Sequence, residues 1–584
     1  MSRRPIQRFV RAGMVAVAAA LLHAQGPGEW TTSGFDAQRS GWLRADGRLT
    51  KDAVRKGEFA FLWKMKVENA NRQLNSLTPP VLLDRLIGYR GFKALAFFGG
   101  SDDRVFSVDT DLGRPYWTTI LNYAAATGGR PPSSWECPGG LVAMPGRRTP
   151  LAPPAGRAGG GPSTGSGQAG GRGGVRNASA VGEPGKGAAV LSQPPPQRGG
   201  DSGRGAEGRG GQPGRGGQEG RGAQGRGRGP AAIGFGGVDP LFALGSDGYI
   251  HSLYVSNGGH MEPPVPFLPP DTKASAVTWI DGVVYTTTSG ECGGVPNAVW
   301  AMDLTVPASE RKSLSWKTGG ANIAGASGLA FGTNGTLYVA LGKTAAKSNS
   351  SHADAIVALD HDTLQPKDWF TVTGADFNAT PVVIRHKDRD LIAATANDGC
   401  LYLLDAASLG GHDHKTPLAV SGTFTSVGAG FGLATFENQG TRWILATASG
   451  ASGDVTFTAN GLAPNGRLVA FKVVDDGGTL SLAAGWQSRD LSSPLAPIVV
   501  NDMVVAVSSG EYRGTPASLS AAQRAQRSRP AILYLLDAAS GKTLWTSGTT
   551  ITSFARAGLS AGGGQVYVVT YDNHLYAFGI PMEH

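Results

Sequence analysis

Cysteine is nearly missing from this 584-residue chain, which has only Cys137, Cys292 and Cys400. Three thiols cannot build a disulfide framework, so the fold must rest on an apolar core. No Cys-x-x-Cys-His run occurs, which excludes a covalent c-type haem. Past the N-terminal stretch no apolar run is long enough to cross a bilayer, so no membrane span is expected. Helical periodicity is almost absent as well. What remains is a chain of short β-branched runs separated by polar turns, as in Thr380-Pro381-Val382-Val383-Ile384, Leu391-Ile392-Ala393-Ala394 and Leu401-Tyr402-Leu403-Leu404.

Into this pattern a tryptophan returns at one position of a repeated unit: Trp63, Trp117, Trp316, Trp369, Trp486 and Trp545. Trp316 and Trp369 are 53 residues apart, and Trp486 and Trp545 are 59 apart, each slightly more than one four-stranded propeller blade. Phe267 and Leu418 hold the tryptophan's place in two further registers, which brings the units to eight. The last unit, Gln565 to Phe578, stops before an outer strand, and the orphan run Phe59 to Val67 can supply it. The expected fold is all-β: an eight-bladed β-propeller over residues 30–584, closed by pairing of N- and C-terminal strands so that no sheet edge is left open.

Residues 1–24 have a basic start (Arg3, Arg4, Arg8, Arg11), an apolar stretch from Ala12 to Leu22 and a small residue, Ala24. This reads as a signal peptide, and a periplasmic or secreted protein is expected. Ser2-Arg3-Arg4-Pro5-Ile6 partly fits a twin-arginine signal, and chance basic residues fit as well.

The net charge of +9 is confined to particular segments. Residues 146–230 hold 13 Lys and Arg against 4 Asp and Glu, and with the four arginines of the N-terminus they exceed the whole surplus. The remainder is mildly acidic. The tract 146–232, rich in Gly, Arg, Pro and Gln, has too little apolar surface to fold, so it reads as a disordered insertion in the second blade. Binding of nucleic acid is not expected.

Cys137 and Cys292 lie in matching settings, Trp135-Glu136-Cys137-Pro138-Gly139-Gly140 and Gly290-Glu291-Cys292-Gly293-Gly294, and are the preferred pair in an oxidising compartment. Two free thiols are the alternative. Gly558-Leu559-Ser560-Ala561-Gly562 matches a hydrolase elbow, but it lies in a strand and lacks the strand-to-helix turn that such a nucleophile needs. His412-Asp413-His414 offers two imidazoles to a metal, with a solvated turn as the plainer reading.

The segment Asp537-Ala538-Ala539-Ser540-Gly541-Lys542-Thr543-Leu544-Trp545 resembles the blade repeat of the quinoprotein alcohol dehydrogenase-like superfamily. Active members of that superfamily hold pyrroloquinoline quinone and Ca²⁺ on the propeller axis. The resemblance implies a metal-binding role for Glu291 and a general-base role for Asp376, in Ala375-Asp376-Phe377-Asn378. It places Cys137 where two adjacent cysteines cover the quinone. It also implies departures: Ala324 stands where a tryptophan forms the quinone's floor, Asn397 where a lysine bonds the quinone, and Lys343 where an asparagine binds Ca²⁺.

Two functions follow as expectations. One is a quinone-dependent dehydrogenase for a small alcohol or sugar, with a partly degenerate cofactor site. The other is a non-catalytic binding platform or scaffold for an envelope protein or polymer, since scaffold proteins of bacterial outer-membrane assembly use a similar repeat. A monomer is expected in either case.

Overall fold

The computed structural model describes residues 29–88, 91–121, 137, 143–151, 239–344, 352–514 and 518–581. The expected signal peptide and all but the first residues of the Gly- and Arg-rich tract lie outside the described residues.

Eight sheets are arranged as the blades of a ring. Blade 1 is an antiparallel meander of Val81–Gly88, Gly91–Gly100, Arg104–Asp109 and Arg114–Ile120. Blade 2 is built from both sides of the tract: Gly146 bridges Phe242 in Leu241–Leu244, followed by Tyr249–Leu253 and Val265–Pro266. The inner strands of blades 3 to 7 are Thr278–Ile280, Leu329–Phe331, Val382–His386, Thr425–Asn438 and Ile498–Val500, and Trp42–Leu43 adds a parallel strand beside the last of them. Blade 8 takes Ser560–Gly562, Gln565–Val569 and His574–Gly579 from the end of the chain. Its outer strand is Ala60–Lys66, antiparallel to His574–Gly579 with Trp63 opposite Ala577, so the orphan N-terminal run closes the ring as expected.

The middle strands are covered on both faces by neighbouring blades, so they read as unbroken apolar runs; all six residues of Met503–Ser508 are buried. Outer strands keep one wet face, as the mixed exposure of Arg114–Ile120 shows. The six marker tryptophans all lie in outer strands. Two short α-helices occur among the described residues, Lys51–Arg55 and Ala521–Arg527, and no helix among them is long and apolar enough to cross a membrane.

The segment Trp30–Asp46 runs around the inside of the ring and bonds the blades in turn. Leu82 N–H of blade 1 donates to Trp30 O at 2.7 Å, and Arg147 N–H of blade 2 to Thr31 O at 2.9 Å. Arg39 Nη2 donates to Thr278 Oγ1 of blade 3 at 2.6 Å. Phe331, Val383, Thr435 and Val499 of blades 4 to 7 donate to the carbonyls of Ala37, Gln38, Ser40 and Gly41 at 2.7 to 2.9 Å. Gly564 N–H of blade 8 donates to Asp46 Oδ2 at 2.8 Å. These partners lie on the edge strands and turns that border the central channel, so the segment forms a collar within it.

Candidate functional site

The loops that lead into each blade's first strand, and those that join its second and third strands, share one face of the ring. Asp376, before Val382–His386, and Asn397, after Arg389–Thr395, both belong to it. Asp376 adopts φ 55°, an unusual conformation for a residue with a side chain. The Asp354 carboxylate stabilises that turn by accepting Asp376 N–H at 3.0 Å and Gly374 N–H at 2.9 Å.

The Asp376 carboxylate is engaged from both sides. Lys343 N–H donates to Oδ1 at 2.9 Å, and Asn397 Nδ2 donates to Oδ2 at 2.7 Å. The Lys343 ammonium stands 3.6 Å from Oδ2, with the lysine side chain about two-thirds exposed and the aspartate about one-fifth. Asn378 Nδ2 donates to Asn397 Oδ1 at 2.6 Å, and Asn397 N–H reaches Ala375 O at 2.8 Å. A Cβ at Gly342 would run into Asp376 Oδ1, so the approach of the Lys343 strand requires glycine there. Asp376, Asn397 and Lys343, separate in sequence, thus form one hydrogen-bonded group between blades 4 and 5. Sequence reasoning missed Asp354 and Asn378, whose turn positions carry no motif.

Glu291 belongs to a second group. It sits exposed at φ 50° on the turn after Val283–Thr288, and its N–H donates to Asn297 Oδ1 at 3.1 Å. The next residue, Cys292, is disulfide-bonded to Cys137, the pair preferred from the matching Glu-Cys settings. Gly290 N–H donates to Asn322 Oδ1 at 3.2 Å, which ties this turn to the entry of blade 4. Among the described residues no hydrogen bond or ion pair joins Glu291 to Asp376. Ala324 is buried, with its N–H on Ala340 O at 3.0 Å and its carbonyl accepting from Thr380 Oγ1 at 3.4 Å. Trp135 and Glu136 lie outside the described residues.

Calcium needs six to eight oxygen ligands, roughly; among the described residues no three His, Cys, Asp or Glu are placed to hold a metal. An ammonium occupies the surroundings of Asp376, and the methyl of Ala324 offers a quinone no ring to stack on. The other motifs are structural. Asp413 caps its turn by accepting Lys415 and Thr416 N–H at 3.0 and 3.1 Å, while His414 stacks on Trp369 with centroids 3.8 Å apart and pairs with Asp368 at 3.0 Å. Ser560 is buried in a strand and donates to Pro80 O at 2.6 Å.

No protein-family model matches the sequence, and no curated protein is a significant match to it. Solved structures do share the fold. The quinohemoprotein alcohol dehydrogenase from Comamonas testosteroni is similar at 13% identity and a TM-score of 0.54, over 96% of this chain and 82% of that one. The quinohemoprotein alcohol dehydrogenase ADHIIG from Pseudomonas putida HK5 gives 11% and 0.55, over 96% and 81%. A europium-containing methanol dehydrogenase gives 11% and 0.51, over 95% and 98%. At such identities the likeness establishes the fold: the eight-bladed propeller of the quinoprotein alcohol and methanol dehydrogenases.

Proposed function

We propose that this chain is an exported, metal-independent propeller that binds a small polar ligand on its loop face at the group formed by Asp376, Asn397 and Lys343. The observation that carries this reading is the Lys343 ammonium 3.6 Å from Asp376 Oδ2. In a dehydrogenase of the family this neighbourhood must accept a divalent cation, and a resident cation repels one. The carboxylate also has two N–H donors engaged already, so it is held as a hydrogen-bonded anchor.

Titration of purified protein with pyrroloquinoline quinone, with and without Ca²⁺, followed by absorbance and calorimetry, tests the reading. Weak binding that Ca²⁺ leaves unchanged, without dye-linked oxidation of alcohols or sugars, is the expected result. Sub-micromolar, strictly Ca²⁺-dependent binding with turnover overturns it, at about 8 kcal/mol or more of binding free energy. The convergence of three family positions on one group favours the second reading, a dehydrogenase, in which Asp376 is the proton acceptor and Asp376→Asn abolishes turnover. Export is checked by N-terminal sequencing of the mature protein, and an intact Met1 on cytoplasmic protein overturns it.

A further inference from the structure

On the opposite face, where blade 8 meets blade 1, lies a cavity of about 330 Å³ bordered by Leu82, Leu83, Asp84, Leu95, Arg48 and the turn Gly562–Gly563. Most of its polar lining is already committed. Gln565 Nε2 donates to Thr110 O at 3.2 Å, Tyr567 OH donates to Gln565 Oε1 at 3.2 Å, and Lys93 Nζ is paired with Asp109 at 2.6 Å. Two groups retain capacity. The Arg48 guanidinium donates to the Gly563 carbonyl at 3.3 Å and has no carboxylate partner among the described residues. Among the described residues the Asp84 carboxylate has one ion pair, with the exposed Arg85 at 3.9 Å, while the carboxylates of Glu29 and Asp46 lie close enough to act on it.

Both groups flank one turn: Arg48 bonds the carbonyl of Gly563, and a Cβ on Gly563 would lie 4.0 Å from Asp84 Oδ1. A cation and an anion are therefore held apart across a single residue, beside the two paired strands that carry Leu83 and Leu95. From this geometry we propose that the seam cavity binds a small zwitterion, a free α-amino acid with an apolar side chain. Its carboxylate meets Arg48, its ammonium meets Asp84, and its side chain lies along the cross-strand pair Leu83 and Leu95. Burial raises the Asp84 carboxyl above the ordinary carboxylate range; Arg85 opposes the shift and Asp46 adds to it. The bare carboxylate is thus under-compensated, and a ligand ammonium supplies the missing charge.

This site is independent of the loop-face group, so the two readings fail separately. The test is calorimetric titration of the full chain with leucine, N-acetylleucine and leucine amide. Leucine is expected to give a saturable isotherm below about 1 mM, and each blocked form to bind roughly tenfold or more weakly. Asp84→Asn should abolish the preference over N-acetylleucine, and exposed Arg48→Gln the preference over leucine amide, with thermal unfolding confirming that both variants fold. Asp376→Ala should leave all three isotherms unchanged. No saturable leucine binding up to about 10 mM overturns the proposal. Loss with only one blocked ligand overturns the zwitterion assignment in favour of a plain acid or amine, and equal binding of all three ligands overturns the roles of both charges.

Discussion

The indole of Trp486, in the outer strand of blade 6, lies against Gly541 in a turn of blade 7, and its Nε1 donates to Ala538 O at 2.9 Å. The relation recurs. Trp63 of blade 8 covers Gly113 of blade 1 and donates to Thr110 O at 3.0 Å, and Trp117 of blade 1 covers Gly258 of blade 2 and donates to Val255 O at 2.9 Å. Each indole fastens one blade to the next, and the glycine is required twice, for its positive φ and for the ring above it.

Gly541→Ala is therefore expected to destabilise the ring by about 2–4 kcal/mol, since the new methyl runs into Trp486 and the residue keeps φ near 71°. Gly548→Ala is the control. Its φ is 54°, but nothing lies within 4 Å of an added Cβ, so only the conformational cost of about 1 kcal/mol remains. Denaturant unfolding of the two variants separates the terms, and equal losses would show that the indole contact is immaterial.

At the loop-face group, the contribution of Asp376 lies in its hydrogen bonds more than in its ion pair. The Lys343 side chain is well exposed, and such a pair contributes about 0–1 kcal/mol. Asp376→Ala leaves Lys343 N–H and Asn397 Nδ2 without their acceptor, at a cost of about 1–3 kcal/mol. Lys343→Ala removes the ammonium but keeps both donors, so it should cost much less. Thermal unfolding of the two variants checks the order, and a larger loss from Lys343→Ala would reverse the assignment.

The ring was legible because its signals are periodic and local. The tryptophans mark outer strands, and Phe59 to Val67 reads as a strand without a partner beside a unit without an outer strand. The matching Glu-Cys settings of Cys137 and Cys292 pointed to the bridge that forms. The collar was not legible. Trp30–Asp46 has no alternating pattern, because its partners lie on blades up to 518 residues away, as where the Asp46 carboxylate accepts Gly564 N–H. The loop-face group was half legible: the resemblance supplied Asp376, Asn397 and Lys343, whereas Asp354 and Asn378 contribute through turn geometry that no motif encodes.

Arg39 tests the collar. It is buried, and its guanidinium donates to Leu329 O at 2.7 Å, Ser33 O at 2.7 Å, Thr32 Oγ1 at 2.9 Å and Thr278 Oγ1 at 2.6 Å. Burial pulls its pKa down to about 10, against the opposing charge of Asp36, so it remains a cation at neutral pH. Arg39→Ala strands several acceptors at once and should cost about 3–5 kcal/mol. Arg39→Lys should recover little, since a single ammonium cannot span the fork. Unfolding melts and limited proteolysis of the N-terminal segment are the measurements; a lysine variant as stable as wild type would show that charge alone suffices.

Blade 2 carries an acid-sensitive pair. His251 Nδ1 lies 2.8 Å from His260 Nε2, and His251 Nε2 is buried without a partner among the described residues. Burial first, and then the charge of His260, pulls His251 down to about 3 from its ordinary value of 6.5. Burial lowers His260 as well. Above the ordinary imidazole pKa both folded and unfolded chains hold His251 neutral, so it adds no pH dependence there. As pH falls below about 6.5 the unfolded chain takes up a proton that the folded chain refuses, and stability drops by up to about 1.4 kcal/mol per pH unit until the folded pKa is reached. His251→Gln removes that proton difference. The stability of wild type relative to the variant is therefore expected to be constant above pH 7 and to fall steadily between about pH 6 and pH 4. A difference that stays flat across that range would show that His251 is protonated as readily in the fold as out of it.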